Sequence, residues 1–376
     1  MPSPLSGSIQ RVLMTADAVG GVWTYALDLS RALAVGGVAT TLVLLGPRAS
    51  PAQRREAEDI PHLTLIETRL PLDWLCDDPI ALREAAAAVA ALAVETDAEI
   101  VQLNGCALAG EAEFALPVVT VHHSCVATWW AATKKGPLPR KWRWRFDLVR
   151  RHLASATRVV APSAAFGAQI VTTYSLPNPP RVIYNGRSRA PAKSQGRPLR
   201  AVFTAGRLWD EGKNIAALDR AAASLDAPVF AAGPLSGPDG AQIAGDHLLF
   251  QGELTSGEVR NWLAKRPIFV SCAIYEPFGL AVLEAAQAGC ALVLSDIPTF
   301  LELWDGAALF APARDAEAFA EAARALLRDP ARRRRMGSAA RERARLYSLE
   351  ASAQRLMALY HEAIGRPLEF SVDSAA

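Results

Sequence analysis

Five cysteines in 376 residues, scattered as Cys76, Cys106, Cys125, Cys272 and Cys290 without a C-x-x-C, give neither a disulfide framework nor a zinc spacing. They read as reduced thiols, which points to a cytoplasmic protein. No apolar run approaches the ~20 residues of a membrane span. The opening MPSPLSGSIQ has no basic n-region or apolar h-region, so no secretory signal is expected. Charge of one sign is also missing: a net +2 exerts no global pull on nucleic acid, and no nucleic-acid partner is expected. Neither G-x-G-x-x-G nor a Walker A loop occurs at a strand-to-helix turn, which disfavours a dinucleotide or P-loop site. At 51% hydrophobic and 21% charged residues, the length suits two domains, each with its own core.

One stretch organises the rest. In IFVSCAIYEPFGLAVLEAAQAGCALVLSD, a strand over 268–272 leads through a short loop to a helix opening near Phe278 or Gly279, then to a strand over 291–294. Glu276 and Glu284 flank the turn. Pro277 fixes its φ, and Gly279 lets a ligand come close to the backbone. A helix opening there presents unsatisfied N–H groups and partial positive charge, which is an anion site. The carboxylates suit hydroxyls, as a sugar or ribose offers. The bland alternative is a surface turn with two solvated glutamates.

Upstream, strand 199–205 precedes Gly206-Arg207-Leu-Trp-Asp-Glu-Gly212-Lys213-Asn214, placing an Arg fork and a Lys point charge on one loop at a sheet mouth. Strand 117–121 delivers His122 and His123 at its carboxyl end, where ligands of open α/β sheets collect; no third ligand at a sensible spacing suggests a metal. Strand 11–16 is followed by Gly20-Gly21 and a helix, by itself a tight turn or a close phosphate approach. Residues 128–151 interleave Trp129, Trp130, Trp142 and Trp144 with Lys134, Lys135, Arg140, Lys141, Arg143 and Arg145. That composition fits a lipid headgroup interface, an anionic lipid-linked acceptor or stacking on sugar; core tryptophans under a solvated cationic face are the plain alternative.

Further strands are expected over 41–45, 63–67, 99–103, 158–163, 181–186, 227–233 and 247–254, with a helix over 79–96 and a capping box from Thr255 to Glu258. Residues 187–198 are the best linker. Residues 315–365 read as helical, with Arg332–Arg335 on a solvated face, and the tail after Gly365 as frayed.

EPFGLAVLE (276–284), with the G-R-x5-K loop from Gly206 to Lys213, resembles the retaining glycosyltransferases of family 4. The resemblance runs over most of the chain and is strongest from Gly206 to Phe310. It implies an α/β GT-B fold, two Rossmann-like β/α/β domains facing a central cleft. The division expected is 1–187 on the acceptor side, 188–347 on the donor side, and a helix over 348–365 crossing back. It implies a metal-independent hexosyltransferase using a UDP- or GDP-linked sugar, with no cofactor and a sugar, lipid-linked or polysaccharide-precursor acceptor. Glu276 would hold donor-sugar hydroxyls, Glu284 the ribose, Phe278, Gly279 and Leu280 the diphosphate side, and Arg207 and Lys213 the leaving phosphates. Gly20 and Gly21 would approach donor phosphate, and Gly252 and Leu254 would lie near the base. His122 is the better match for the imidazole against the sugar, with His123 second. His123, Trp129, Trp130, Trp142 and Trp144 are the acceptor or membrane candidates, 128–151 offering peripheral contact on the cytoplasmic face. A GT-B sugar-nucleotide epimerase or phosphorylase shares the phosphate grip, and an anionic-lipid-binding scaffold with a degenerate site is the non-enzymatic alternative.

Overall fold

The computed structural model describes residues 9–188, 196–238 and 240–365. The middle of the expected linker (189–195), the opening eight residues and the tail from 366 lie outside them. The chain forms two compact units: unit 1 is Met1–His123, Trp144–Val160 and Glu350–Ala376; unit 2 is Ser124–Arg143 and Ala161–Leu349.

Unit 1 is built on β1 (Arg11–Asp17), β2 (Ala39–Leu45), β3 (Leu63–Glu67), β4 (Ile100–Leu103), β5 (Val118–Val121) and β6 (Arg158–Ala161), parallel in the order β3-β2-β1-β4-β5-β6. Its helices are α1 (Gly21–Val35), α2 (Pro51–Glu58), α3 (Pro79–Glu95), nearly all of α5 (Arg143–Ser155) and α13 (Leu349–Ala363); α4 (Val126–Thr133) falls in unit 2. All four residues of both β4 and β5 are buried, as a parallel sheet covered on two faces requires. Asp78 caps α3 through Ile80 N–H, and Pro79 at its first turn is already fixed in helical φ.

Unit 2 carries α6 (Ala164–Tyr174), the two-residue β7 (Arg181–Val182) and a second parallel sheet. That sheet comprises β8 (Val202–Ala205), β9 (Val229–Ala232), β10 (Leu249–Phe250), β11 (Ile268–Ser271), β12 (Leu292–Ser295) and β13 (Ala308–Ala311), in the order β10-β9-β8-β11-β12-β13. Helices α7 (Ile215–Ala222), α8 (Ser256–Ala264), α9 (Leu280–Ala288), α10 (Pro298–Trp304), α11 (Ala316–Arg328) and α12 (Pro330–Arg343) surround it. Phe203, Phe269, Leu283, Phe300 and Trp304 form one core on this sheet, each at most 1% exposed. Burying each contributes roughly 1.5–3 kcal/mol.

Residues 161–187 join unit 2, where Ser163 Oγ donates to Pro277 O (2.7 Å) and Glu302 accepts from the first N–H groups of α6. Several sequence expectations change. The 247–254 strand shrinks to two residues, since the chain turns at Gly252 with φ +67°. The 315–365 stretch is broken twice, at Asp329-Pro330, where Asp329 caps a new helix through Ala331 and Arg332 N–H, and at Tyr347-Ser348 after a 3-10 turn. Within the Arg332–Arg335 run, Arg333 is buried and donates to Leu199 O and Arg266 O, so that face is not wholly solvated.

Candidate functional site

In unit 2 the loop after β8 is fastened before any ligand is considered. Asp210 Oδ1 accepts from Gly212 N–H (2.9 Å) and starts the 3-10 turn Glu211–Lys213. Gly212 O in turn accepts from Ile274 and Tyr275 N–H. Asn214, in the left-handed region at φ +54°, donates to Cys272 O (3.0 Å) and Ala313 O (2.8 Å), tying the loop to the ends of β11 and β13. The neighbouring β9 turn passes so close that a Cβ on Gly233 would overlap Gly206 O.

On this scaffold the ionisable groups come in pairs. Lys213 Nζ is ion-paired with Glu276. Arg207 Nη2 donates to Asp210 Oδ2 at 2.9 Å, and its guanidinium lies 5.7 Å over the Trp209 ring. Arg207 Nε is buried without a hydrogen-bond partner. The side chain is 32% exposed and spends one N–H on Asp210, so the rest of the fork has capacity for an incoming anion. Burial pushes the Asp210 carboxyl up. The charges of Arg207 and Lys213, with hydrogen bonds from Trp129 and Gly212, overcome this and hold it below the usual carboxylate range.

Helix α9 opens at Leu280, after Gly279 in the left-handed region at φ +93°. A Cβ on Gly279 would come within 3.1 Å of Phe300, so the turn favours glycine on both counts. No side chain caps this N-terminus, and its first turn carries no acid. Its orphan N–H groups and dipole end are therefore available to an anion. Phe278 is buried in the core, and Leu280 is half-buried against it. Glu284, one turn in, pairs with Arg187 at 2.6 Å. Arg187 was not singled out from the sequence; it lies beyond the expected strand 181–186, in a stretch read only as linker. Gly252 is exposed, with its carbonyl accepting from Gly233 N–H (2.7 Å), while Leu254 packs on the core.

The aromatic-cationic segment splits by environment. Trp129 is half-buried, and its indole N–H donates to Asp210 Oδ1 at 3.0 Å. Trp130 and Trp142 meet edge to face with centroids 5.2 Å apart. Trp144 packs beside Leu82, Ala107 and Leu148 in unit 1 and stacks under Arg145. Lys134 is ion-paired with Glu211, and Arg145 is buried against Asp77, whereas Lys135, Arg140, Lys141 and Arg143 are exposed.

In unit 1, Gly20 has φ −154°, extended backbone that any residue adopts, and α1 starts at Gly21. His122 is fully buried, 3.7 Å from Cys106 Sγ. His123 is half-buried, edge-on to Tyr25 and 3.2 Å from Asn104 Oδ1. Asn104 Nδ2 donates to Thr15 O (2.9 Å) and its Oδ1 accepts from Gln102 (2.8 Å), so that oxygen is the acceptor and His123 Nε2 carries the proton. Tyr360 donates onward to Gln102 Oε1. A third imidazole, His152, accepts from Ala109 N–H (2.8 Å) and lies 2.7 Å from Thr120 Oγ1. Burial pushes all three imidazoles down to about 3, and the other two histidines add to the effect on His122. The sequence reading missed Asn104, Gln102, Tyr360 and His152. They carry no motif, and only the fold brings them together.

Residues 19–189 match the Glycosyltransferase Family 4 family, and 239–343 match Glycosyl transferases group 1. Alpha-maltose-1-phosphate synthase of Mycobacterium tuberculosis is 37% identical over 101 residues, 25% of this chain. The match spans 26% of that relative's length. Sucrose-phosphate synthase from Thermosynechococcus elongatus superposes with a TM-score of 0.76 at 21% identity, covering 95% of this chain and 99% of that one. Anabaena HepE, in complex with UDP and glucose, superposes with a TM-score of 0.69 at 15% identity over 93% and 98%. These structural likenesses show the fold. The two family matches, in order along one chain with two Rossmann-like parallel-sheet units, place it among the GT-B glycosyltransferases.

Proposed function

We propose that the chain is a retaining glycosyltransferase that moves a sugar from a UDP- or GDP-linked donor to a sugar or lipid-linked acceptor without a divalent metal. One observation carries the reading: Lys213 paired with Glu276, and an incompletely used Arg207, on the same unit as the uncapped N-terminus of α9. The complex of HepE with UDP and glucose, and the name of the mycobacterial relative, point the same way.

The chemistry is an exchange of partners. Lys213 turns from Glu276 to the donor diphosphate, which frees Glu276 to accept hydrogen bonds from sugar hydroxyls. Glu284 accepts from the ribose. The nucleoside diphosphate departs from the anomeric carbon through an oxocarbenium-like state, and Arg207, Lys213 and the Gly279–Leu280 amides stabilise its growing charge. The acceptor oxygen bonds to that carbon on the same face, and its proton passes to the leaving phosphate. Phe278 shapes the turn from beneath, and Gly252 and Leu254 are assigned to the base side. In unit 1, Gly20 and Gly21 are assigned as backbone open to a phosphate, with His122 and His123 as imidazoles at the carboxyl end of β5. Trp130 and Trp142, with the exposed cations around them, are assigned to acceptor or membrane-face contact; no described helix is long and apolar enough to cross a membrane.

The test is proton NMR of the anomeric signal during turnover of a nucleotide sugar with an acceptor and a chelator. A product with the donor's anomeric configuration is expected. An inverted product, an epimerised nucleotide sugar, or turnover only with inorganic phosphate would contradict the reading.

A further inference from the structure

Asp210 sits where helix α4 meets the Arg207–Lys213 loop, and its two oxygens have different partners. Oδ1 accepts from two neutral donors, Trp129 Nε1–H (3.0 Å) and Gly212 N–H (2.9 Å), while Oδ2 accepts from Arg207 Nη2 (2.9 Å). The carboxylate is only 7% exposed, so each lost partner is costly. Helix α4 is fastened at adjoining points: Thr128 Oγ1 lies 2.8 Å from Tyr275 OH, and Lys134 is ion-paired with Glu211 while lying 5.6 Å over the Trp129 ring.

We propose that Trp129 is a positioning residue: by holding Asp210 with a neutral N–H, it frees Arg207 to turn to the donor diphosphate. This role rests on the donor reading of Arg207. When Arg207 swings away, Asp210 keeps two hydrogen bonds on Oδ1 and loses only the one on Oδ2. Without the indole N–H, Oδ1 keeps only the Gly212 N–H, so the buried carboxylate holds Arg207 more tightly and competes with the ligand for it. Trp129 thus tunes the diphosphate grip without touching the ligand, a task different from acceptor stacking or membrane contact.

The test uses the full chain and Trp129→Phe, which keeps an aromatic ring and removes the donor. The measurement is the ratio of nucleoside-diphosphate to nucleoside-monophosphate affinity, across UDP/UMP and GDP/GMP, with the thermal midpoint recorded alongside. Wild type is expected to prefer one diphosphate, and Trp129→Phe to lower that ratio roughly tenfold at a similar midpoint. In an Asp210→Asn background the same substitution is expected to change the ratio little, because its route to Arg207 is gone. An unchanged ratio in Trp129→Phe, with wild type binding normally, overturns the role of Trp129 alone. An equal fall in the Asp210→Asn background, or a fall that tracks a collapsed midpoint, also overturns it, as packing then explains the loss. Wild type binding neither diphosphate overturns the donor reading and this role with it.

Discussion

Replacing Lys213 with Ala is expected to abolish turnover and to weaken nucleoside-diphosphate binding by about 2 kcal/mol or more, the scale of a lost charge-assisted contact. The substitution removes the ammonium assigned to the phosphate. It also strands Glu276, whose side chain is only 15% exposed and whose ion pair is with that lysine. Glu276→Gln is the matching control. It keeps the cation, so nucleotide affinity should persist while turnover falls, because the amide replaces a carboxylate that only accepts hydrogen bonds. The pair of variants separates grip from sugar orientation. Unchanged kinetics in Lys213→Ala would remove the residue from the site.

The second large effect is on stability and comes from unit 1. The folded pKa values of His122, His123 and His152 are pushed down to about 3 by burial, against about 6.5 for an unfolded histidine. The unfolded chain therefore binds protons that the folded chain refuses. Stability is fully present above about pH 6.5 and is lost as the pH falls towards 3. At pH 5 each of the two fully buried rings, His122 and His152, costs about 2 kcal/mol, a sizeable share of the ~5–15 kcal/mol typical of a domain. Asp73 works the other way: burial and the Asp17 charge push it up to about 6, so its folded form gains relative stability on acidification. It is one group against three, and the net slope stays downward. The thermal midpoint should fall steeply between pH 7 and pH 4.5, and less steeply in His152→Asn. A flat midpoint across that range would contradict the burial of these rings.

How much of this was legible beforehand depended on how local the signal was. The β/α alternation, the α9 turn at Gly279 and the Thr255–Glu258 capping box rest on residues a few positions apart, and all three stand in the structure. Helix α2 passed unremarked, although Ser50-Pro51-Ala52-Gln53 is itself a capping box. Pairings across long sequence separations were not readable. Arg187 with Glu284, Trp129 with Asp210 and Tyr360 with Gln102 are separated by 97, 81 and 258 residues. The tryptophan-rich segment shows the same limit. Composition marked it as unusual, but only the fold assigns Trp129 to a carboxylate and Trp144 to a small apolar cluster.

A nucleotide-diphosphate grip built from Arg207, Lys213 and the start of α9 can be tested in a thermal-shift panel. UDP, GDP, ADP, dTDP and their sugars would each be added with and without a chelator. A ligand at a hundred times its dissociation constant adds about 2.7 kcal/mol of stability, a shift of several degrees that is readily measured. A uridine or guanosine diphosphate is expected to stand out and to be indifferent to the chelator. No shift from any nucleotide, or a shift abolished by the chelator, would contradict it.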